Sequence, residues 1–160
     1  MRRILPLLIA LAACDGGPGV GPDGGAPDAA PRAQGGPASA DLVVNELSPQ
    51  PASGADWVEL LNRSDAPIDL AGYFLTDKAD RLDHYLPLEG VLAPGELVVI
   101  EPGDAFGLGV AEEVHLIDAT GLGVDGLAYL FSGEPGETLA RRPSGEGPFY
   151  LSAPTPGEAN

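Results

Sequence analysis

Asp56-Trp57-Val58-Glu59-Leu60-Leu61-Asn62 decides how the rest of the chain is read. On an extended backbone Trp57, Glu59 and Leu61 point one way, and Val58, Leu60 and Asn62 point the other. Apolar residues on both faces suit a strand buried on one face and partly covered on the other. The stretch holds the only tryptophan and follows, after a loop from Pro49 to Gly54, a second alternating run, Leu42-Val43-Val44-Asn45-Glu46-Leu47. Trp57 is expected to fill the space between two sheets or to cap their edge.

Outward from this pair, Asn62 to Pro67 supplies turn chemistry. Ile68, Leu70, Tyr73, Phe74 and Leu75 then read as a strand pair bent at Gly72. Tyr85-Leu86-Pro87-Leu88 is a short edge strand, because its proline cannot donate to a ladder. After a turn at Ala93-Pro94-Gly95, Leu97-Val98-Val99-Ile100 is a continuous apolar run of the kind found in a fully buried strand. Val114 to Ile117, Gly126 to Phe131 and Thr138 to Arg141 follow, divided by glycine-containing turns. No window offers helical apolar spacing free of Gly or Pro. About eight short strands in about 120 residues predict an all-β domain over residues 41–160, a sandwich of two packed sheets. The tail from Pro154 to Asn160 is too polar and proline-rich for a strand.

The chain has 160 residues, room for one ordinary domain. Its formal charge is −16 at pH 7. Only Arg63, Lys78, Arg81, Arg141 and Arg142 are basic beyond residue 40. Nucleic acid is therefore an unfavourable partner, since affinity for phosphates comes mainly from Lys and Arg displacing counterions.

At the N-terminus two arginines precede an apolar run, Ile4 to Ala13, that ends in small residues before the single cysteine, Cys14. This is the layout of a secretory signal, and at about ten residues the run is too short to span a bilayer. Leu11-Ala12-Ala13-Cys14 resembles the bacterial lipobox, which implies cleavage after residue 13 and a covalent lipid on Cys14. Asp15 resembles an inner-membrane retention signal of enteric bacteria, and the leaflet stays open. Residues 14–40 carry one large apolar residue, Val20, among Gly, Pro and Ala. Such a segment cannot bury enough surface to offset its ordering entropy and is expected to be a disordered tether, with a reach on the order of 30 Å. The expected location is the cell envelope, with the protein exported and lipid-anchored.

Three ordered motifs resemble the opening of a lamin-tail domain: Val44-Asn45-Glu46-Leu47, Asp56 to Asn62, and Ile68-Asp69-Leu70-Ala71-Gly72-Tyr73-Phe74-Leu75-Thr76-Asp77. Leu92 to Ile100 is similar to that family's later Pro-Gly turn and buried strand, and Thr155-Pro156-Gly157-Glu158-Ala159-Asn160 to the terminus of bacterial members. The resemblance covers nearly all of residues 41–160. It implies an immunoglobulin-like β-sandwich that binds or tethers, with no catalytic residues of its own. Its expected partners are the membrane, through the lipid, and an envelope protein or surface polymer. The alternative is an accessory domain of a separately encoded hydrolase or nuclease, or a weak metal-dependent hydrolase.

Glu46, Asp56, Glu59 and Asn62 interrupt apolar strands, and short polar side chains there can satisfy loop backbone that would otherwise go unpaired. The competing reading pairs Glu46 with Glu59 for acid–base work, which needs a raised pKa and a pocket. Asp77, Asp80 and Asp83 form an acidic loop; calcium takes several oxygen ligands, yet Lys78 and Arg81 interrupt the run and solvated charge is the favoured reading. No cofactor beyond the lipid is expected. His84 and His115 are the only histidines, too few for a His-rich zinc site. His115 reads as a strand residue on a polar face, and His84 as a neighbour of the acidic loop. Of Arg141 and Arg142, one is expected to pair with an acid and one to be solvated.

Overall fold

Leu42–Ser48 (β1) and Trp57–Asn62 (β2) pair antiparallel at the heart of the molecule, as their shared alternation requires. The computed structural model describes residues 40–160. The expected signal segment, Cys14 and the tether up to residue 39 lie outside the described residues. Nine further strands follow: β3 (Ile68–Asp69), β4 (Phe74–Thr76), β5 (Leu86–Pro87), β6 (Val91–Leu92), β7 (Leu97–Ile100), β8 (Ala111–Ile117), β9 (Gly123–Leu130), β10 (Thr138–Arg141) and β11 (Phe149–Ser152). A five-stranded sheet in the order β11-β10-β1-β2-β7 faces a four-stranded sheet, β5-β4-β8-β9, and β3 pairs with β6 beside them. This is an immunoglobulin-like β-sandwich.

The core between the sheets is built by alternation. Leu42, Val44 and Leu47 of β1 and Val58 and Leu60 of β2 meet Leu75 of β4, Val114 and Leu116 of β8, and Leu127 and Tyr129 of β9. One irregularity makes this possible. Val44 pairs with Leu60 and Glu46 with Glu59, so Asn45 is an extra residue, a β-bulge. Without it, strict alternation from Val44 would drive Glu46 into the apolar core. With it, Leu47 takes the inward position opposite Val58, and Glu46 turns outward beside Glu59.

Several expectations require correction. Trp57 is half-buried at the first position of β2, opposite Ser48, and lies outside the core cluster. It shares the outward face with Glu59, so the space between the sheets is filled by Val58 and Leu60 instead. Leu97–Ile100 is not a fully buried strand: β7 pairs only with β2, at the sheet edge, and Val99 is exposed. The residues around Gly72 form two strands that do not pair with one another, because β3 joins β6 and β4 joins β5 and β8. Gly72 makes the turn between them at φ +91°, and a Cβ there would stand 3.1 Å from that of Ala119. Eleven strands occur among the described residues rather than about eight, because β6 and β11 carry no clear alternation and several strands are two or three residues long.

Candidate functional site

Glu46 and Glu59, cross-strand partners on the outer face of the five-stranded sheet, are both 0% exposed. Water is excluded by the chain's own C-terminal segment, which runs back over β1 and β2 as a strap. Thr155 donates its backbone N–H to Glu46 Oε1 (3.1 Å) and its hydroxyl to Oε2 (2.7 Å), and the Thr138 hydroxyl also donates to Oε1 at 2.6 Å. Gly157 N–H donates to Glu59 Oε2 at 2.6 Å, and Asn45 Nδ2 to Oε1 at 2.9 Å. All four carboxylate oxygens are thus engaged. Burial pushes the Glu59 carboxyl above its ordinary 4.5, the Asn45 and Gly157 bonds oppose this, and the Glu46 charge adds to the rise. The raised pKa that acid–base work needs is present, but the pair is roofed by protein.

The bulge residue Asn45 ties the strap to a second cover, the loop between β10 and β11, which contains the cis Arg142–Pro143 peptide bond. Asn45 Oδ1 accepts from Gly145 N–H (2.8 Å), and the Ser144 hydroxyl oxygen accepts from Asn160 N–H (2.7 Å). Gly145 has φ +70°, a conformation that favours glycine, and a Cβ there would stand 2.6 Å from Leu61 Cδ2 and push that methyl aside.

On the inner face the same bulge leaves Val44 without a β10 partner, since β1 and β10 pair only at Glu46 and Leu47. A buried ion pair takes the place of the ladder. Arg141 Nε donates to Val44 O (2.8 Å), and Val44 N–H donates to Asp125 Oδ2 (2.9 Å). The guanidinium reaches both Asp125 oxygens at 3.1 Å and Gly147 O at 2.9 Å, and it lies 4.4 Å from the centre of the Phe149 ring. β10 and β9 belong to opposite sheets, so this pair links them across the core. Arg142 is exposed and donates to the Ser152 hydroxyl oxygen. One arginine therefore meets an acid and the other lies at the surface, as expected.

Asp56 and Asn62 serve the backbone. Asp56 Oδ2 accepts from Leu108 N–H at 2.8 Å, holding a loop whose Phe106 and Leu108 enter the core. Asn62 is fully buried and donates to Ala66 O (2.8 Å) and Leu92 O (3.0 Å), while its Oδ1 accepts from the Ser64 N–H and hydroxyl. Each such bond removes an unpaired-group penalty of about 1–3 kcal/mol.

The acidic loop does not draw its three aspartates together. Asp77 is buried, with His84 Nδ1 2.7 Å from Oδ1 and Lys78 Nζ 3.4 Å from Oδ2. Asp83 is held by a two-pronged bond from Arg81, 2.9 and 2.7 Å, which lowers its carboxyl to about 2. Asp80 is exposed. Among the described residues no three acids, histidines or cysteines gather as a metal site would need. His115 stands on the outer face of β8 with Nε2 2.8 Å from Glu113 Oε2.

That loop nevertheless borders two surface concavities. On one side Asp77, Lys78, Asp80, Glu112 and Glu113 line a predominantly acidic groove of about 580 Å³. Tyr129 lines it too, its phenol pushed above the ordinary 10.0 by burial and then by the charges of Glu112, Asp56 and Asp77. On the other side Leu82 and Tyr85 line a cleft of about 470 Å³ with Phe74, Pro87 and the turn at 118–121. Leu82, on the 3-10 turn Leu82–His84, is 79% exposed.

Three groups escaped the sequence. Asp125 carries no local signal, because only the β8–β9 pairing brings it to Arg141. Thr155 and Gly157 lie in a tail that the sequence marks only as too polar and proline-rich for a strand, and only the fold shows what that tail covers. Leu82 lies among charged residues, where its exposure could not be foreseen.

No curated protein matches the chain. The family model described as Lamin Tail Domain matches residues 36–130, more than half of it. The match ends before β10 and β11, although both lie in the five-stranded sheet and β10 pairs with β1. With the ordered motifs, the bulged β1–β2 centre and the sandwich all in place, the chain belongs to the lamin tail domain family.

Proposed function

We propose that this protein is an exported, lipid-anchored and non-enzymatic binding or tethering module of the cell envelope. Cys14 carries the lipid, residues 15–40 stand the sandwich off the membrane, and the sandwich holds an envelope partner. The lipobox-like Leu11-Ala12-Ala13-Cys14 and the polar tether composition support the anchor. Membership in the lamin tail domain family, an immunoglobulin-like module family, supports the binding role.

The observation that carries the reading is the fate of the best candidate for chemistry. Glu46 and Glu59 lie fully buried with all four oxygens bonded to Thr138, Thr155, Gly157 and Asn45. A carboxylate must reach the proton it moves, at about 2.6–3.2 Å from a substrate atom or one water. These side chains reach the protein instead.

Crosslinking in intact membranes, followed by purification of the tagged protein, tests both halves. Wild type is expected in the membrane fraction with a specific crosslinked protein, and Cys14→Ser in the soluble fraction. Unchanged fractionation of Cys14→Ser refutes the anchor. Absence of any partner, together with metal-dependent hydrolysis by the purified protein, refutes the binding role.

A further inference from the structure

We propose that the cleft beside Leu82 docks a polypeptide segment in which an apolar side chain is flanked by lysine or arginine. This rests on the binding role above and names the chemistry of its partner.

The cleft is lined mostly by apolar side chains, Phe74, Leu82, Tyr85 and Pro87, with one carboxylate among them. Phe74 and Tyr85 form its aromatic wall, with ring centroids 5.7 Å apart and planes tilted by 47°. Asp118 is the charged residue that lines it. Asp118 Oδ1 accepts from the Thr120 N–H (2.8 Å), the Thr120 hydroxyl (2.7 Å) and the Leu122 N–H (3.1 Å). Those bonds, that of the Thr120 side chain first, hold the carboxyl below its ordinary 3.8, so it stays ionised across the physiological range. Its position is fixed while Oδ2 is left for a ligand. An aromatic wall beside a fixed carboxylate suits a Lys or Arg head, and the adjoining apolar surface suits the next side chain.

Leu82 is presented by a braced loop rather than a loose one. Thr76 Oγ1 bonds Lys78 N–H and O, Arg81 clamps Asp83, His84 meets Asp77, and the Tyr85 hydroxyl donates to Ala79 O at 2.8 Å. A leucine held out in one place loses little further freedom when a partner covers it, which is how a small surface gains affinity. Leu122, 67% exposed, follows the same 118–121 turn.

Charge selects among possible occupants. The three bases of the first forty residues, Arg2, Arg3 and Arg32, are balanced by Asp15, Asp23 and Asp28, so the formal −16 falls on the folded domain. A second copy carries the same repulsive charge, and an anionic lipid surface repels it likewise. In the groove on the far side of the loop Asp80, Glu112 and Glu113 outnumber Lys78, which leaves it net negative and extends the attraction for a cationic chain.

The test uses the full-length protein in dodecyl maltoside and a fluorescein-labelled nine-residue probe, three repeats of Lys-Leu-Phe, read by anisotropy. Wild type and variants share the micelle, so its own uptake of the probe cancels in the comparison. Leu82→Ser is expected to weaken binding about tenfold, in the range of an interface hot spot. Asp118→Asn keeps the Oδ1 acceptor that holds the turn, and is expected to weaken binding several-fold and flatten its salt dependence. A probe with glutamate in place of lysine is expected not to bind. Equal affinity of wild type and Leu82→Ser, or equal binding of both probes, overturns the assignment. So does sedimentation showing a dimer that Leu82→Ser dissociates, or tighter binding to anionic phosphatidylglycerol vesicles than to the probe. A specific protein crosslinked in membranes alongside a negative probe result places the fault in this cleft, not in the binding role.

Discussion

Under the C-terminal strap the protein buries charged and amide side chains, while beside Leu82 it leaves apolar ones in water. The two regions invert the ordinary distribution in opposite directions, and each inversion needs its own physical cause. Beneath the strap the cause is the bulge at Asn45, which keeps Glu46 out of the core at the expense of unpaired backbone and a pair of facing acids. Arg141 and Asp125 then answer the backbone of Val44, and Thr155 and Gly157 answer the acids. Beside Leu82 no such internal debt exists. The loop bonds are complete without Leu82, so no internal contact accounts for its exposure, and the proposed docking role is what would. On this account a buried polar group marks architecture, and the apolar side chain held out at Leu82 marks the proposed surface for contact.

Substitutions that separate the two regions test this contrast. The largest effect is expected from Arg141→Ala, which leaves Asp125 charged and Val44 O unanswered in the core. It should lower the unfolding free energy by about 3–5 kcal/mol, read by urea denaturation. Ending the chain at Ala153 should cost about 1–3 kcal/mol, since Glu46 and Glu59 lose the strap donors. An unchanged urea midpoint for the truncated chain would show that the strap is incidental. Trp57→Ala should cost only about 1–2 kcal/mol, because a half-buried ring outside the core cluster surrenders less area than a core aromatic. A loss near 4 kcal/mol would return Trp57 to the core.

A subtler effect concerns pH. The folded Glu59 carboxyl is raised above 4.5, so the folded state holds its proton more tightly than the unfolded one. The stability this contributes is present below 4.5 and is lost as pH rises through the folded value. Wild type should therefore gain stability relative to Glu59→Gln as pH falls from neutrality towards 4.5. A difference that is flat, or that moves the other way, would show Glu59 to be as well solvated as a surface acid.

Much of the fold was legible because period two governs it. The β1 and β2 runs, the proline-marked edge strand β5 and the last inner strand β10 fall where alternation and turn residues put them. The errors share a cause: local pattern does not report sheet position. Leu97 to Ile100 is apolar throughout yet sits at an edge, and Trp57 is the largest apolar residue of its strand yet lies on the polar face. Strands of two residues, such as Val91–Leu92, carry no period at all. At the polar centre, the architectural roles of Glu46, Asp56, Glu59 and Asn62 were readable as types, since acids and amides in apolar strands need partners. Their partners were not readable, because Thr155 lies 109 residues from Glu46 and Gly157 lies 98 from Glu59.

The contrast between the two regions is tested most directly by measuring unfolding free energy and probe-peptide affinity on the same two variants, Thr155→Val and Leu82→Ser. Thr155→Val removes the hydroxyl bond to Glu46 and is expected to cost about 1–2 kcal/mol with affinity unchanged. Leu82→Ser is expected to stay within about 0.5 kcal/mol of wild type while affinity falls about tenfold. The reverse pattern, with Thr155→Val weakening the probe and Leu82→Ser destabilising the fold, would contradict the assignment of architecture to one region and contact to the other.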